Sequence, residues 1–130
     1  MPFTLRLEPG AGVVIATCSG ALGLNDAKEG ATAFWENREW SGKPIVWDFR
    51  SAHLDVTASE VREIAQFILE RQPPTPPSKV AFVTASDADF GLGRMFEMFR
   101  EHSSTQVRVF REFDEAVSWA RSNGRGDPGR

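Results

Sequence analysis

The spacing of hydrophobic residues changes several times along the chain, and each change marks an element. From residue 3 to 8, "FTLRLE" alternates, with Phe3, Leu5 and Leu7 on one side and Thr4, Arg6 and Glu8 on the other. This alternation predicts a half-exposed edge strand. "PGAG" at 9–12 reads as a tight turn. "VVIATCSG" then runs apolar almost without interruption, as a strand covered on both faces does. The two strands are predicted to form a hairpin.

In "NDAKEGATAFWENREW" the spacing becomes helical: Ala27, Ala31, Phe34 and Trp35 recur on one face. Asn25 is the predicted N-cap, and "GKP" from Gly42 ends the helix. Gly30 inside it costs up to ~1 kcal/mol relative to alanine, which a tertiary contact has to offset. "IVWDFR" at 45–50 is a third strand. The following helix carries the clearest start signal. Thr57-x-x-Glu60 is a capping box, with Val56 and Val61 placed as a hydrophobic staple. Val61, Ile64, Ala65, Ile68 and Leu69 predict its buried face, and "QPPTPP" stops it. "KVAFVTAS" and "QVRVF" are the fourth and fifth strands. "DEAVSWARSNG" is a last helix with Ala116, Val117, Trp119 and Ala120 inward and Gly124 as its C-cap. Residues 123–130 form a polar tail expected to fray.

The order is ββαβαβαβα. It predicts an α/β fold, a mostly parallel five-stranded sheet with four helices and right-handed crossovers, in one domain over residues 1–122. Ligands on such sheets tend to sit at the carboxyl ends of strands. Those ends fall near Ser19-Gly20, Asp48 to Asp55, Ser86 to Gly93 and Arg111-Glu112.

Composition narrows the function. With 130 residues, 41% hydrophobic and 25% charged, the chain can bury a core without disulfides or metals. A net charge of −3 supplies no field for nucleic acid. Cys18 is the single cysteine, so neither an internal disulfide nor a cysteine-based zinc site is available. No secretory signal and no membrane-length apolar run is seen, so a cytoplasmic protein with at most peripheral membrane contact is expected. His53 and His102 stand apart without metal-ligand spacing, and nothing implies a cofactor.

Residues 86–99, "SDADFGLGRMFEMF", hold the candidate chemistry. Asp89-Phe90-Gly91 spells the magnesium-binding letters of a protein kinase, but the Gly-rich loop, strand lysine and catalytic loop are missing. A dinucleotide fingerprint fails because its third glycine would fall at Phe96. Gly91, Gly93 and Arg94 could mark an anion site at a helix start, or the glycines could let the helix approach the sheet. At 100° per residue Leu92, Met95, Phe96 and Phe99 form a core-facing stripe, opposite Arg94, Glu97 and Glu101. Met98 beside the stripe and Phe90 ahead of the helix are surplus, as a lid over an apolar pocket or a wide core face would require. The candidate ligand-binding set is Phe90, Gly91, Leu92, Gly93, Arg94, Met95, Phe96, Met98 and Phe99, with Arg94 for an anionic head group. Ser51, His53 and Asp55 could be drawn as a triad, but no nucleophile elbow accompanies them. Arg125-Gly126-Asp127 spells an adhesion tripeptide without meaning in a cytosolic chain.

The element order, together with "IVWDFRSAHLDVTASEV", "KVAFVTASDADFGLGRMFEMF" and the ending "RVFREFDEAVSWA", resembles the SpoIIAA-like family, which shares the fold of STAS domains. The resemblance covers residues 3 to about 121. It implies a small cytosolic domain with no known catalytic chemistry, and its lipid-associated members, similar in fold to CRAL-TRIO lipid carriers, imply an apolar ligand or a membrane surface. Anti-sigma antagonists of the same fold carry Asp-Ser-Ser-Gly before the helix after the third strand. The matching stretch is Asp55-Val56-Thr57-Ala58, where the Asp and a hydroxyl agree but Val56 and Ala58 replace Ser and Gly. This implies Thr57 as a phospho-acceptor, although the capping box explains the same residue and a buried cap would be shielded. The expectation is a non-enzymatic binding module for a lipid-like or amphipathic molecule or a membrane surface. Its alternative is a switch that binds a regulatory protein and is phosphorylated at Thr57. The edge strand at 3–8 is compatible with a monomer or a homodimer.

Overall fold

The computed structural model describes residues 2–8, 10 and 12–122. Five strands are present: β1 (Phe3–Glu8), β2 (Val13–Leu22), β3 (Ile45–Leu54), β4 (Lys79–Val83) and β5 (Gln106–Phe110). The helices are α1 (Leu24–Glu36), α2 (Ala58–Arg71), α3 (Asp87–Phe99) and α4 (Phe113–Arg121). The sheet runs β1-β2-β3-β4-β5, in chain order. The β1–β2 pair is antiparallel, and β2 to β5 are parallel neighbours. The predicted hairpin, edge strand and element order are all present.

Chain-order strands with right-handed crossovers put every crossover helix on the same face. The core clusters agree. Val14, Ala16, Ile45 and Phe34 pack on the α1 side, and Val61, Ala65 and Phe96 join α2 to α3 there. Val13, Ile15, Val46, Ala81 and Val83 point the other way, under Ala116, Trp119 and Ala120 of α4. The sheet therefore lies between three helices and one. This explains why β2 is apolar at successive positions: Val13 to Ala16 are each at most 1% exposed.

One irregularity changes the facing of β3. Thr17 pairs with Asp48, but Ser19 pairs with Ser51, so β3 advances three residues while β2 advances two. Before this bulge Trp47 and Phe49 face the three-helix side; after it, Ala52 and Leu54 do. Asp48 holds the bulge. Its Oδ1 accepts from the Arg50 backbone N–H (3.1 Å) and from Arg50 Nε (2.9 Å), while Oδ2 accepts from Arg50 Nη2 (2.8 Å). Both strands accordingly run past the predicted ends at Gly20 and Arg50, through polar residues that still pair up to Leu22 and Leu54.

Several expectations need correction. Helix α1 starts after Gly23 rather than at Asn25, because the Asp26 carboxylate accepts from the Gly23 N–H (2.9 Å), one half of a capping box. It ends at Glu36, and Arg38–Trp40 form a separate 3-10 turn on which Asn37 caps the Glu39 N–H. Gly30 has its offsetting contact: a Cβ there would meet the Trp47 indole at 3.2 Å. Leu69 is 59% exposed, so the buried stripe of α2 ends at Ile68. Helix α4 is capped at Ser122. Gly124, the tail at 123–130, the Arg125-Gly126-Asp127 tripeptide and Pro9 and Ala11 of the predicted turn lie outside the described residues.

Candidate functional site

The capping box on α2 is formed in both directions. Glu60 N–H donates to Thr57 Oγ1 (3.1 Å), and Thr57 N–H donates to Glu60 Oε1 (2.9 Å). Val56 and Val61 pack in one cluster, as a staple requires. Thr57 itself is exposed, contrary to the expectation of a shielded cap. Its hydroxyl therefore stands in solvent at a helix N-terminus, where a phosphate would be electrostatically favoured.

Helix α3 starts earlier than the sequence suggests. Ser86 is its N-cap, accepting from the Asp89 N–H (3.1 Å), and Asp87 and Asp89 occupy the first turn. Phe90, Gly91 and Gly93 thus lie within the helix, and Phe90 does not precede it. Its buried line runs Asp89, Gly93, Phe96, Arg100, at the i, i+4, i+7 rhythm. Gly93 sets that line. A Cβ on it would come within 2.8 Å of Val109 Cγ2, so the glycine lets α3 press onto β5. Nothing lies within 4 Å of a Cβ on Gly91. The contact line rotates Phe99 out of the predicted stripe. Phe99 is 39% exposed, with the Arg62 guanidinium 5.1 Å from its ring centroid. Phe90 is half-buried under Arg111 at 4.4 Å. Met98 is exposed, and Arg94 pairs with Glu97 at 3.3 Å on the surface.

Between the sheet and α1, α2 and α3 lies an apolar cavity of about 160 Å³. Trp47, Phe49, Phe82 and Phe96 give it an aromatic floor and wall. Phe49 stacks on Phe82 at 5.6 Å, and Phe82 meets Phe96 edge-on at 5.3 Å. Leu22 and Leu54 line it toward the strand ends, and Ile64 and Ile68 line it from α2. Of the nine residues in the candidate ligand set, Leu92, Gly93 and Phe96 line this cavity. Phe90, Gly91, Arg94, Met95, Met98 and Phe99 are not part of its wall. Arg94 and Met98 instead border a shallow polar groove between α3 and β5, beside Glu97 and Arg108.

Two polar side chains in the cavity wall stand out. Thr84, just past β4, is 1% exposed, and its Oγ1 has no hydrogen-bond partner among the described residues. Arg100, at the C-cap of α3, is 5% exposed. Its Nη2 reaches Gln72 Oε1 at 3.4 Å, while Nε and Nη1 have no partner among the described residues. Burial pulls its guanidinium below the ordinary arginine value. Sequence reasoning missed Arg100, although a signal existed: continuing the helical row from Leu92 through Phe96 arrives at position 100.

Other polar groups at the strand ends are structural in their contacts. Asp89 is buried and accepts from the Leu54 N–H (3.3 Å), joining the end of β3 to the start of α3. The His53 ring is exposed, and its Nδ1 lies 3.8 Å from Asp89 Oδ1, so its carboxylate neighbour is Asp89 rather than Asp55. Asp55 N–H donates to Leu22 O at 2.8 Å. Among the described residues no group of three or more His, Cys, Asp and Glu is placed to hold a metal, and no helix is long and apolar enough to cross a membrane. Cys18 is buried, and its thiol is pushed up to about 12, first by burial and then by the Asp48 charge.

The architecture is that of known structures. An uncharacterised protein with a SpoIIAA-like fold from Shewanella loihica matches with a TM-score of 0.59 at 10% identity, covering 91% of each chain. An anti-sigma factor antagonist from Mycobacterium paratuberculosis matches with a TM-score of 0.60 at 15% identity, over 92% of this chain and 95% of that one. SpoIIAA in its unphosphorylated form, also an anti-sigma factor antagonist, matches with a TM-score of 0.50 at 13% identity, over 89% and 94%. The fold is therefore SpoIIAA-like, of the STAS type, as the sequence resemblance implies. No family model matches the chain, and no curated protein matches it in sequence.

Proposed function

We propose that this protein is a non-enzymatic STAS-like binding module that takes an apolar or amphipathic small molecule between its sheet and its crossover helices. The carrying observation is the cavity itself. A close-packed interior leaves few voids larger than a water, yet here an apolar space of about 160 Å³ separates the helix layer from the sheet. A concave, mainly apolar space edged by a few polar groups is the usual form of a small-molecule site. The segment after Ser86 contributes Leu92, Gly93 and Phe96 to the wall, and the exposed Met98 and Phe99 offer an outer surface at which a membrane or a ligand-delivering partner would be met. The test is a native mass spectrum of gently purified protein beside its denatured mass. A non-covalent adduct of small-lipid size, lost on denaturation, is expected. A clean apo mass, together with no uptake of added amphiphiles, would sink the reading.

A second reading rests on the exposure of Thr57. Two of the similar structures are anti-sigma factor antagonists, one described in its unphosphorylated form. Under this reading the chain is a protein-interaction module, and phosphate on Thr57 Oγ1 at the start of α2 releases its partner. Intact mass after co-expression with native kinases tests it: an added phosphate of wild type that is absent from Thr57→Val supports the switch. No phosphate under conditions that modify other substrates removes it.

A further inference from the structure

Arg100 is a buried charge that no described residue neutralises. It sits where two helices finish: Gln72 is the C-cap of α2 and Arg100 that of α3. The partial negative charge of those helix ends lowers the cost of a cation there without neutralising it. A buried charge is normally paired, because desolvation costs several kcal/mol per ion. No carboxylate pairs with Arg100 among the described residues, where its side chain makes only the long contact to Gln72. Arg94, the cation singled out in the sequence, is by contrast exposed and already paired with Glu97.

The same side chain lines the apolar cavity, next to Gln72, Pro77, Thr105 and Val107. Thr105 is not an open partner, since its Oγ1–H donates to Pro77 O (2.8 Å). The cavity thus has aromatic and aliphatic walls and, at the α2–α3 C-terminal end, unsatisfied donors on a fixed positive charge. Water would satisfy a donor there, but only an anion would also balance the charge. Size limits the rest of the molecule: an apolar cavity of about 150 Å³ holds something the size of benzene, so a single ring or a short chain fits the space seen here.

Resting on the binding-module reading above, we infer that the ligand is a small apolar carboxylate, an aryl or medium-chain acid, whose head group pairs with Arg100 while its body lies against Phe82, Phe96 and Val107. The charge of Arg100 then selects for the anion over a neutral molecule of the same shape.

The test compares octanoate with 1-octanol on the purified protein, by calorimetry and by the fluorescence of Trp35 and Trp47, both of which line the cavity. Wild type should bind octanoate at least tenfold more tightly than octanol. Arg100→Met should remove that preference while leaving octanol binding within about threefold. Arg100→Lys, which keeps a charge but loses the planar donors, should keep a reduced preference for the anion. Equal affinities in wild type, or a preference that survives Arg100→Met, would overturn this assignment and leave the apolar-cavity reading standing. Binding of neither compound would end both. Should Arg100→Met fail to fold, the wild-type pair and Arg100→Lys decide alone.

Discussion

Gly91 and Gly93 lie two residues apart on α3, and replacing each with alanine should shift stability in opposite directions. In a helix interior, Gly→Ala is worth up to about 1 kcal/mol in favour of folding. At Gly91 nothing lies within 4 Å of the new Cβ, so Gly91→Ala should gain most of that amount. At Gly93 the new Cβ would sit 2.8 Å from Val109 Cγ2 and 3.2 Å from Val109 Cβ. Carbon atoms prefer about 3.5–4.0 Å, so α3 and β5 must separate by several tenths of an ångström. Valine is stiff at χ1 and cannot swing away freely. The shift also loads the 2.6 Å bond in which Val109 N–H donates to Glu97 Oε2. Overpacking of this kind costs about 1–3 kcal/mol. After subtracting the propensity gain, Gly93→Ala should be destabilised by up to about 2 kcal/mol net. For a chain of this size the two variants should melt several degrees apart, at about 3–5 °C per kcal/mol. Urea unfolding of both, with Val109→Ala and the Gly93→Ala/Val109→Ala double variant, measures the coupling directly. The double variant should recover at least about 1 kcal/mol of the expected sum. If both glycine variants shift in the same direction, or the cycle shows no coupling, the close approach of α3 to β5 is not what requires glycine at 93.

Three further outcomes follow from the polar groups. Burial works to raise the Asp48 carboxyl, but the hydrogen bonds and charge of Arg50 outweigh it and hold the group below its ordinary value. A lowered folded-state value stabilises above the unfolded value and is lost as pH falls through the folded one. Urea midpoints of Asp48→Asn should therefore trail wild type at pH 7 and converge with it in strong acid; a constant gap would refute the linkage. With its thiol near pKa 12, Cys18 is ionised in roughly one molecule in ten thousand at pH 8, so thiol reagents should label it only as fast as the protein unfolds. Rapid labelling of the native state would contradict its burial. Thr84→Val should raise stability by about 1 kcal/mol in a thermal or urea series, because it removes a buried hydroxyl without a partner at nearly constant volume; a loss of similar size would mean that the hydroxyl is satisfied in solution.

Much of the architecture was legible because strand and helix periods differ. The alternation of "FTLRLE" marked β1 at its observed ends, and Thr57 and Glu60 marked the start of α2 to the residue. Periodicity reports the width of a helix face better than its phase. In α3 the phase is set by Gly93 meeting Val109, a contact between elements that no local pattern contains, and it moves Phe99 outward and Arg100 inward. The β3 bulge was hidden for a related reason. Asp48 and Arg50 read as the polar end of a strand, whereas they satisfy each other and the local backbone, and pairing continues to Leu54. Three residues of the candidate segment, Leu92, Gly93 and Phe96, line the apolar cavity, but most of its wall comes from residues that look like ordinary core in sequence.

Because strand order equals chain order, every sheet neighbour is also the next strand in sequence. Loop-closure entropy is then spent one crossover at a time, each joining partners about 30 residues apart, such as Val14 with Ile45 and Val80 with Val107. Growth can proceed outward from the β1–β2 hairpin, one strand and one crossover at a time, much as a repeat protein propagates. Helix α4 breaks this locality. It packs under Val13 and Ile15 of β2 as well as under Val83 and Phe110. A nascent chain can therefore build its sheet as it emerges, but the exposed face closes only after residues 113–121 have left the ribosome, and until then half of the sheet is the surface a chaperone would hold.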